Sequence, residues 1–202
     1  GITYYLWGGE ATLIGNYDSN PRWSNLLLSR DQHSSKVLGN YFNSTNSHCF
    51  WIEGGGSSHH IVSNNVFENG GFHAGSFDGG DTLIITNNLF KNIPQRLDLI
   101  ISNVKQIILS NNIVEFASEI TEAIYAYSCD SNNVKVSITN NQFSNAKRIV
   151  FANNSGGYGN IYNFLVTNNI ISATSVLPEG LYHAGTSTLI NCLDTNNLYI
   201  QA

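Results

Sequence analysis

The sequence predicts an all-β solenoid, because one short phrase recurs along nearly the whole chain. In each copy, two or three β-formers lead into an Asn, and an apolar residue usually stands two places after it. Successive copies are 23 to 29 residues apart, a period at which each repeat of a solenoid makes one turn of the chain. The eight repeated residues are Asn16, Asn40, Asn65, Asn88, Asn112, Asn141, Asn169 and Asn197.

The residues around each repeated Asn alternate as in a strand with one buried face. Positions three and five before the Asn carry residues such as Ile85 and Leu83, and position two after it carries residues such as Phe90. Another β-rich run stands upstream in each repeat, and clusters of Gly, Ser and Asn separate the runs. Three strands and three bends per repeat predict a triangular coil, and eight coils about 4.8 Å apart would form a rod of roughly 40 Å.

Each repeated Asn is expected to occupy the tight bend itself. Asn tolerates left-handed backbone better than most residues and can bond its own chain. Stacked coil upon coil, the Asn side chains can also bond one another as a ladder. Pairs such as Asn64-Asn65 are therefore predicted to be structural turns rather than sugar-binding amides.

The bulk composition limits the possible functions. Only 11% of the residues are charged and the net charge is −5, which argues against nucleic acid, since that partner needs clustered Lys and Arg. No apolar stretch approaches a membrane span, so membrane insertion is not expected. The three cysteines have no metal-like spacing, and no metal site is predicted. We expect residues 1–202 to form a single domain and, because Met is absent, to belong to a longer or processed chain.

The N-x-apolar turns, which cover about residues 5–200, resemble those of the right-handed parallel β-helix superfamily. That superfamily includes pectate-lyase-like enzymes and bacteriophage tailspikes. The resemblance implies a right-handed, single-stranded parallel β-helix of about eight coils with Asn-rich turns. It also implies a polysaccharide substrate, an extracellular location (secreted or on a virion tail), and a homotrimer or another chain that covers the open strand edges.

Alignment of the upstream strands by their ends places Arg30, Glu53 and Asp78 in one outward column on three consecutive coils. Asp81 follows two glycines after Asp78 and can turn back toward the same spot. Paired carboxylates are what glycoside hydrolysis requires: at about 5 Å one is the proton donor and the other the nucleophile, whereas a longer Glu53–Asp81 gap would suit a base that activates water. Clustered acids of this kind cleave surface polysaccharide in the tailspikes that the chain resembles. The sequence therefore predicts a glycosidase with the catalytic residues Glu53, Asp78 and Asp81.

Substrate binding is assigned to residues of the same coils. Trp51 offers a flat ring on which a sugar can stack, and Arg30 can hold a carboxylate or an acidic sugar. The remaining predicted substrate-binding residues are His59, which faces outward, and His73, which lies in a Gly-rich bend.

Two alternatives remain open. A polysaccharide lyase needs a base and a cation for a uronic acid; Arg30 and the histidines could then act, with Ca²⁺ held by Glu53, Asp78 and Asp81. A glycosidase needs no cofactor. His60 falls on an inward position, which favours a structural role. The second alternative is a non-catalytic glycan-binding rod or adhesin stalk, whose exposed acids only keep it soluble.

Overall fold

The computed structural model describes residues 2–19, 23–28, 32–45, 48–52, 59–74, 81–100, 105–127, 134–153, 160–177, 180–183 and 188–201. Every regular element in these ranges is a β-strand, as expected for an all-β chain. The strands are β1 (Ile2–Leu6), β2 (Gly9–Ile14), β3 (Tyr17–Ser19), β4 (Ser24–Leu28), β5 (Gln32–Leu38), β6 (Tyr41–Asn43), β7 (His48–Ile52), β8 (His59–Ser63), β9 (Val66–Glu68), β10 (Gly71–Ala74), β11 (Thr82–Thr86), β12 (Leu89–Ile93), β13 (Leu97–Ile100), β14 (Gln106–Ser110), β15 (Ile113–Tyr127), β16 (Lys135–Thr139), β17 (Gln142–Asn153), β18 (Ile161–Tyr162), β19 (Phe164–Thr167), β20 (Ile170–Ala173), β21 (Leu181–His183), β22 (Leu189–Ile190), β23 (Leu193–Thr195) and β24 (Leu198–Gln201).

The strands stack in parallel and form three walls. The first wall, which precedes each repeated Asn, is an eight-stranded sheet in the order β2-β5-β8-β11-β14-β16-β19-β23. The second wall follows the Asn and contains β3, β6, β9, β12, the beginnings of β15 and β17, β20 and β24. The third wall contains β1, β4, β7, β10, β13, the ends of β15 and β17, and β21. This arrangement is a parallel β-solenoid.

The solenoid has about six turns, where the repeat count predicted about eight coils. The difference lies at the two ends. Residues 2–19 and 188–201 supply strands to the walls, but none of their described residues is buried. An end coil has a neighbouring coil on one side only, so it adds strands to the walls without enclosing a buried interior.

The core consists of columns of apolar side chains at the predicted inward positions. Phe42, Phe67 and Phe90 each follow a repeated Asn by two places and are fully buried. Their ring centroids are 5.6 Å and 5.0 Å apart, in stacked orientation. Phe50 and Phe72, from the third wall, stack at 4.8 Å and meet the first column edge to face. Stacking of identical residues in successive coils fills the interior at close to the sheet repeat.

The repeated Asn residues form one continuous ladder, as predicted. In every step, the backbone N–H and the Nδ2 of one Asn donate to the Oδ1 of the Asn in the next coil, at 2.9 to 3.0 Å. The remaining amide hydrogen reaches a backbone carbonyl of the previous coil; for example, Asn88 Nδ2 donates to Val62 O at 2.9 Å. Six of the eight residues are buried. Their polar atoms are thus satisfied inside the protein, as buried amides must be.

The sequence predicted the left-handed conformation for the ladder Asn itself, and this prediction is wrong. In the structure, the left-handed residue of each bend is the one before the ladder Asn. Asn64, Asn87 and Asn111 have φ values of 57°, 57° and 56°. In the first two coils Gly15 and Gly39 take this place, at 66° and 64°. Gly and Asn are the residues that enter this region at least cost. In each pair the first residue therefore makes the bend, and the second holds the coils together.

Replacement of Asn112 by Ala should destabilise the protein strongly. It leaves the backbone N–H of Asn88 without its partner and removes one of the two hydrogen bonds to the Oδ1 of Asn141 inside the core, at a cost of about 3 kcal/mol in the free energy of unfolding. The matched control is Asn111→Gly, at the exposed left-handed position, which should change stability by less than about 1 kcal/mol. Urea unfolding measures the free energy of unfolding of both variants. Equal losses in the two variants would contradict the division of roles.

Candidate functional site

The third wall contains one ladder position whose residues are in register from coil to coil. The ladder pairs His73 with both Trp51 and Asp98, and Tyr125 with both Asp98 and Phe151. Phe151 in turn pairs with Tyr182. The last three members, Tyr125, Phe151 and Tyr182, are half-buried and are called the ring column here.

The register of the third wall is described up to the residues that precede the predicted site. The ladder aligns Leu28 with Ile52 and Ile52 with Ala74. Arg30, Glu53 and Asp78 follow these residues in the sequence and lie outside the described residues, so their alignment in one column stays a prediction. Farther along the wall, Ala152 is fully buried and Phe151 is the outward residue.

Most of the predicted site falls outside the described residues. Arg30, Glu53 and Asp78 lie there entirely, whereas Trp51 and His73 have described backbones in β7 and β10 but not described side chains. Trp51 nevertheless belongs to the ladder position that becomes the ring column further along the wall. The roles predicted for these five residues remain predictions.

Asp81 is the one predicted catalytic residue that is described, and it lies just before the first strand residue of β11. Its Oδ1 forms an ion pair with the ammonium group of Lys105, and its Oδ2 is 3.6 Å from His59 Nε2. The hydrogen bond from Lys105 lowers the pKa of Asp81 below its ordinary value. An ionised carboxylate suits a base or nucleophile and does not suit a proton donor. His59 faces outward, as predicted, with 63% of its side chain exposed.

His60 is buried inside the coil, as its inward position predicted. Only 1% of it is exposed, and its Nδ1 lies 2.8 Å from the Ser35 hydroxyl in the previous coil. Burial lowers its pKa to about 4, with a smaller contribution from His59. A neutral, enclosed imidazole between Ser35 and Leu83 is part of the core.

The ring column is a continuous aromatic surface. The centroids of Tyr125 and Phe151 are 5.3 Å apart with nearly parallel planes, and those of Phe151 and Tyr182 are 5.5 Å apart. Parallel rings touch at about 3.6 Å, so the 5.3 Å separation of the Tyr125 and Phe151 centroids corresponds to a lateral offset of about 4 Å. Each ring therefore leaves part of its face uncovered by its neighbour. Tyr127 extends the surface sideways, with its centroid 6.2 Å from that of Tyr125.

Two arginines border the ring column. The guanidinium carbon of Arg96 lies 3.8 Å from the centroid of Tyr125, and that of Arg148 lies 4.0 Å from the centroid of Tyr182. Arg96 also bridges two carboxylates on adjacent coils: its Nε bonds to Asp98 at 3.1 Å and its Nη1 to Glu122 at 3.2 Å. Arg148 forms no ion pair with any described residue, and its Nε is buried without a hydrogen-bond partner there.

A pocket of about 420 Å³ opens beside the ring column. It is lined by Pro94, Gln95, Arg96, Asp98, Ile120, Thr121 and Glu122. Its floor therefore combines a guanidinium, two carboxylates, an amide and a hydroxyl. Such a set of donors and acceptors next to an aromatic surface is what sugar hydroxyl groups require.

A second polar pocket, of about 440 Å³, lies on the second wall around Glu68, Lys91 and Glu115. The Glu68 carboxylate is already engaged, because the Tyr41 hydroxyl donates to one oxygen and Lys91 Nζ lies 3.1 Å from the other. The hydrogen bond from Tyr41 lowers the pKa of Glu68, and the same bond raises the pKa of Tyr41. These contacts form a cross-strand ion pair that occupies the Glu68 carboxylate. This pocket is therefore the weaker candidate for a ligand site.

The ring column was not predicted, although the sequence contains its signal. The runs AIYAYS, RIVFAN and GLYHAG each place an aromatic residue at the same ladder position. The correct alternation follows from the small residues Ala126 and Ala152, which are buried and leave space for the core.

The described residues give little support for a metal site. Among them, no group of three or more His, Cys, Asp and Glu residues could hold a metal ion. Of the residues proposed to hold Ca²⁺, only Asp81 is described, and its carboxylate faces a lysine ammonium. Cys49 is also unsuited to chemistry, since burial raises the pKa of its thiol to about 12.

Comparison with known proteins leaves the fold as the guide to function. No family model, no curated protein and no solved structure matches the chain. In the part of the chain that the structure describes, no helix is long and apolar enough to cross a membrane.

The stability of the protein should fall at mildly acidic pH because of His60. Its pKa drops on folding from 6.5 to about 4, so between these values the unfolded chain binds a proton that the native protein excludes. The free energy of unfolding should therefore decrease as the pH falls through this window, by about 3 kcal/mol in total.

The variant His60→Leu isolates this effect, because Leu83 occupies the same column in the next coil. Urea unfolding of both proteins between pH 7 and pH 4 gives the comparison. As the pH falls, the free energy of unfolding of the original protein should decrease relative to that of His60→Leu. A constant difference would show that His60 takes up its proton without cost.

Proposed function

We propose that the chain is an extracellular carbohydrate-active module that binds polysaccharide along the third wall. The observation that carries this proposal is the ring column of Tyr125, Phe151 and Tyr182, bordered by Arg96 and Arg148. Sugar rings present an apolar face of C–H groups and an edge of hydroxyl groups. A ligand site for them combines aromatic surface with a few well-placed polar groups.

The polar groups at this wall suit hydroxyl ligands. Arg148 lies over the Tyr182 ring and forms no ion pair with a described residue, so its guanidinium group retains donors for a ligand oxygen. The Tyr125 hydroxyl accepts a hydrogen bond from Asn153 Nδ2 at 3.1 Å and keeps its own hydrogen for donation. Asp98 and Glu122 retain acceptor capacity beside Arg96, since a carboxylate has about four lone-pair sites.

The wall is also rigid, which favours binding. Each ring is fixed by its neighbours in the stack and by backbone pairing on both sides of β15 and β17. A preformed surface loses little conformational entropy when a ligand settles on it. An extended polymer can therefore contact several coils at once.

Binding is better supported than cleavage. Asp81, the one described member of the predicted catalytic set, has a lowered pKa, so it is not prepared to donate a proton. The second candidate function is a glycosidase with Glu53, Asp78 and Asp81, and a lyase is the third. The proposed substrate is a surface or cell-wall polysaccharide, and a homotrimer or a chain covering the open edges remains part of the proposal.

Removal of the ring column should weaken glycan binding. Phe151→Ala and Tyr182→Ala should each lower affinity for a bound oligosaccharide about fivefold or more, since loss of one ring contact costs about 1 to 3 kcal/mol. The matched control is Tyr17→Ala, which removes an exposed ring from the second wall. A glycan array followed by calorimetry measures the affinities. Equal affinity in all four proteins would refute the ring column as the binding surface.

Cleavage is tested separately by the products formed from a bound polysaccharide. Release of reducing ends without unsaturated sugar indicates hydrolysis, and absorbance of unsaturated uronate indicates elimination. If the glycosidase candidate is correct, Glu53→Gln and Asp78→Asn should abolish turnover, while Asp98→Asn should preserve it and reduce only binding. Absence of both products, with binding retained, would leave the module without an enzymatic role.

A further inference from the structure

The outward face of the first wall carries a second regular array, distinct from the ring column. It consists of two adjacent columns over six coils, one mainly aliphatic and one of hydroxyl groups. We call it the hydroxyl–aliphatic strip; its members are Ile61, Ile84, Ile108, Ser137, Leu165 and Leu193, and Ser63, Thr86, Ser110, Thr139, Thr167 and Thr195.

The strip is a regular two-dimensional lattice. Its five backbone ladders run without a register shift from β8 to β23. The coils repeat at about 4.8 Å, and the two columns are about 6.6 Å apart, two residues along a strand. Thr86 and Ser110 show how close the hydroxyl groups lie, since their oxygens are 3.2 Å apart. The strip therefore repeats a hydroxyl residue and, except at Ser137, an aliphatic residue at the fixed backbone spacing of the rod.

Its side chains are also stiff and uncharged. Seven of the twelve are Ile or Thr, whose branched Cβ restricts rotation about χ1. None of the twelve is charged. Nearly all are half-buried between their neighbours rather than projecting from the wall. A surface of this kind holds its pattern when it meets a ligand and does not adapt to the ligand's shape.

A protein partner fits this surface poorly. Six coils at about 4.8 Å and a width of about 10 Å give about 300 Å², well below the roughly 800 Å² per partner of a stable protein interface. The strip has no aromatic residue, Arg or Met, the types that anchor such interfaces. The absence of rings also disfavours sugar, for which the third wall offers the better surface.

We propose that the hydroxyl–aliphatic strip binds a crystalline lattice of water, the surface of ice. The hydroxyl column can take the place of lattice water molecules, donating and accepting hydrogen bonds at a constant interval. The aliphatic column orders the water next to it, since apolar groups restrict the orientation of first-shell water. Only a ligand that is itself periodic and rigid can use a stiff periodic surface along its whole length. This proposal is independent of glycan binding on the third wall.

The test compares ice-growth arrest by the purified chain and two lysine variants. Thr139→Lys places a flexible charge in the centre of the hydroxyl column. Ser172→Lys places the same charge on the second wall, also at a half-buried outward position of a strand. Thermal hysteresis and adsorption of labelled protein to a growing ice crystal are measured, and melting temperatures confirm that both variants fold. The original chain and Ser172→Lys should arrest growth, and Thr139→Lys should lose most of this activity.

A third variant is expected to increase the arrest of ice growth rather than to reduce it. Ser137→Ile fills the one interruption of the aliphatic column and should increase the thermal hysteresis. The proposal is overturned if the original chain arrests ice growth no better than Thr139→Lys. It is also overturned if sedimentation shows that Thr139→Lys dissociates an oligomer, because the strip would then be a contact between copies of the chain.

Discussion

The Asn ladder is the constraint on which the rest of the structure depends. The described part of this triangular coil contains no helix, and its charged residues form few ion pairs that could hold the layers in place. The ladder supplies a buried bond network that fixes both the bend and the coil spacing, because each amide bonds the next amide and a backbone carbonyl of the previous coil. Cooperative polarisation along such a chain strengthens each bond.

Because the coil spacing is fixed, a residue type that repeats in the sequence also repeats on the surface of the solenoid. Any residue type that recurs at one ladder position becomes a straight column on the outside of the rod. The third wall uses this to align aromatic rings, and the first wall uses it to align hydroxyl and aliphatic groups. The two surfaces differ in chemistry because the ring column combines rings with charged groups and the hydroxyl–aliphatic strip has neither. One chain can therefore present two separate binding surfaces.

The sequence predicted the fold well where the ladder itself sets the register. The inward positions around Asn88, such as Ile85 and Phe90, follow from strand alternation over a few residues. The third wall lies farther from the ladder Asn, across loops of unequal length, and its register could not be counted from that residue. The strand there is Gly71–Ala74, whereas the sequence suggested a later run that includes Asp78. The left-handed position was readable from Gly15 and Gly39, which precede the first two ladder residues.

The exchange of side-chain amide protons tests the central claim inside a single molecule. Six of the eight bends contain a ladder Asn and a neighbouring left-handed Asn, so pairs such as Asn87 and Asn88 differ only in their role. Nuclear magnetic resonance of the labelled protein in deuterated solvent measures both. The ladder amides of Asn65, Asn88, Asn112 and Asn141 should exchange only with opening of the solenoid, and their exposed neighbours should exchange at once. Equally fast exchange of both sets would show that the coils are held together by something other than the ladder.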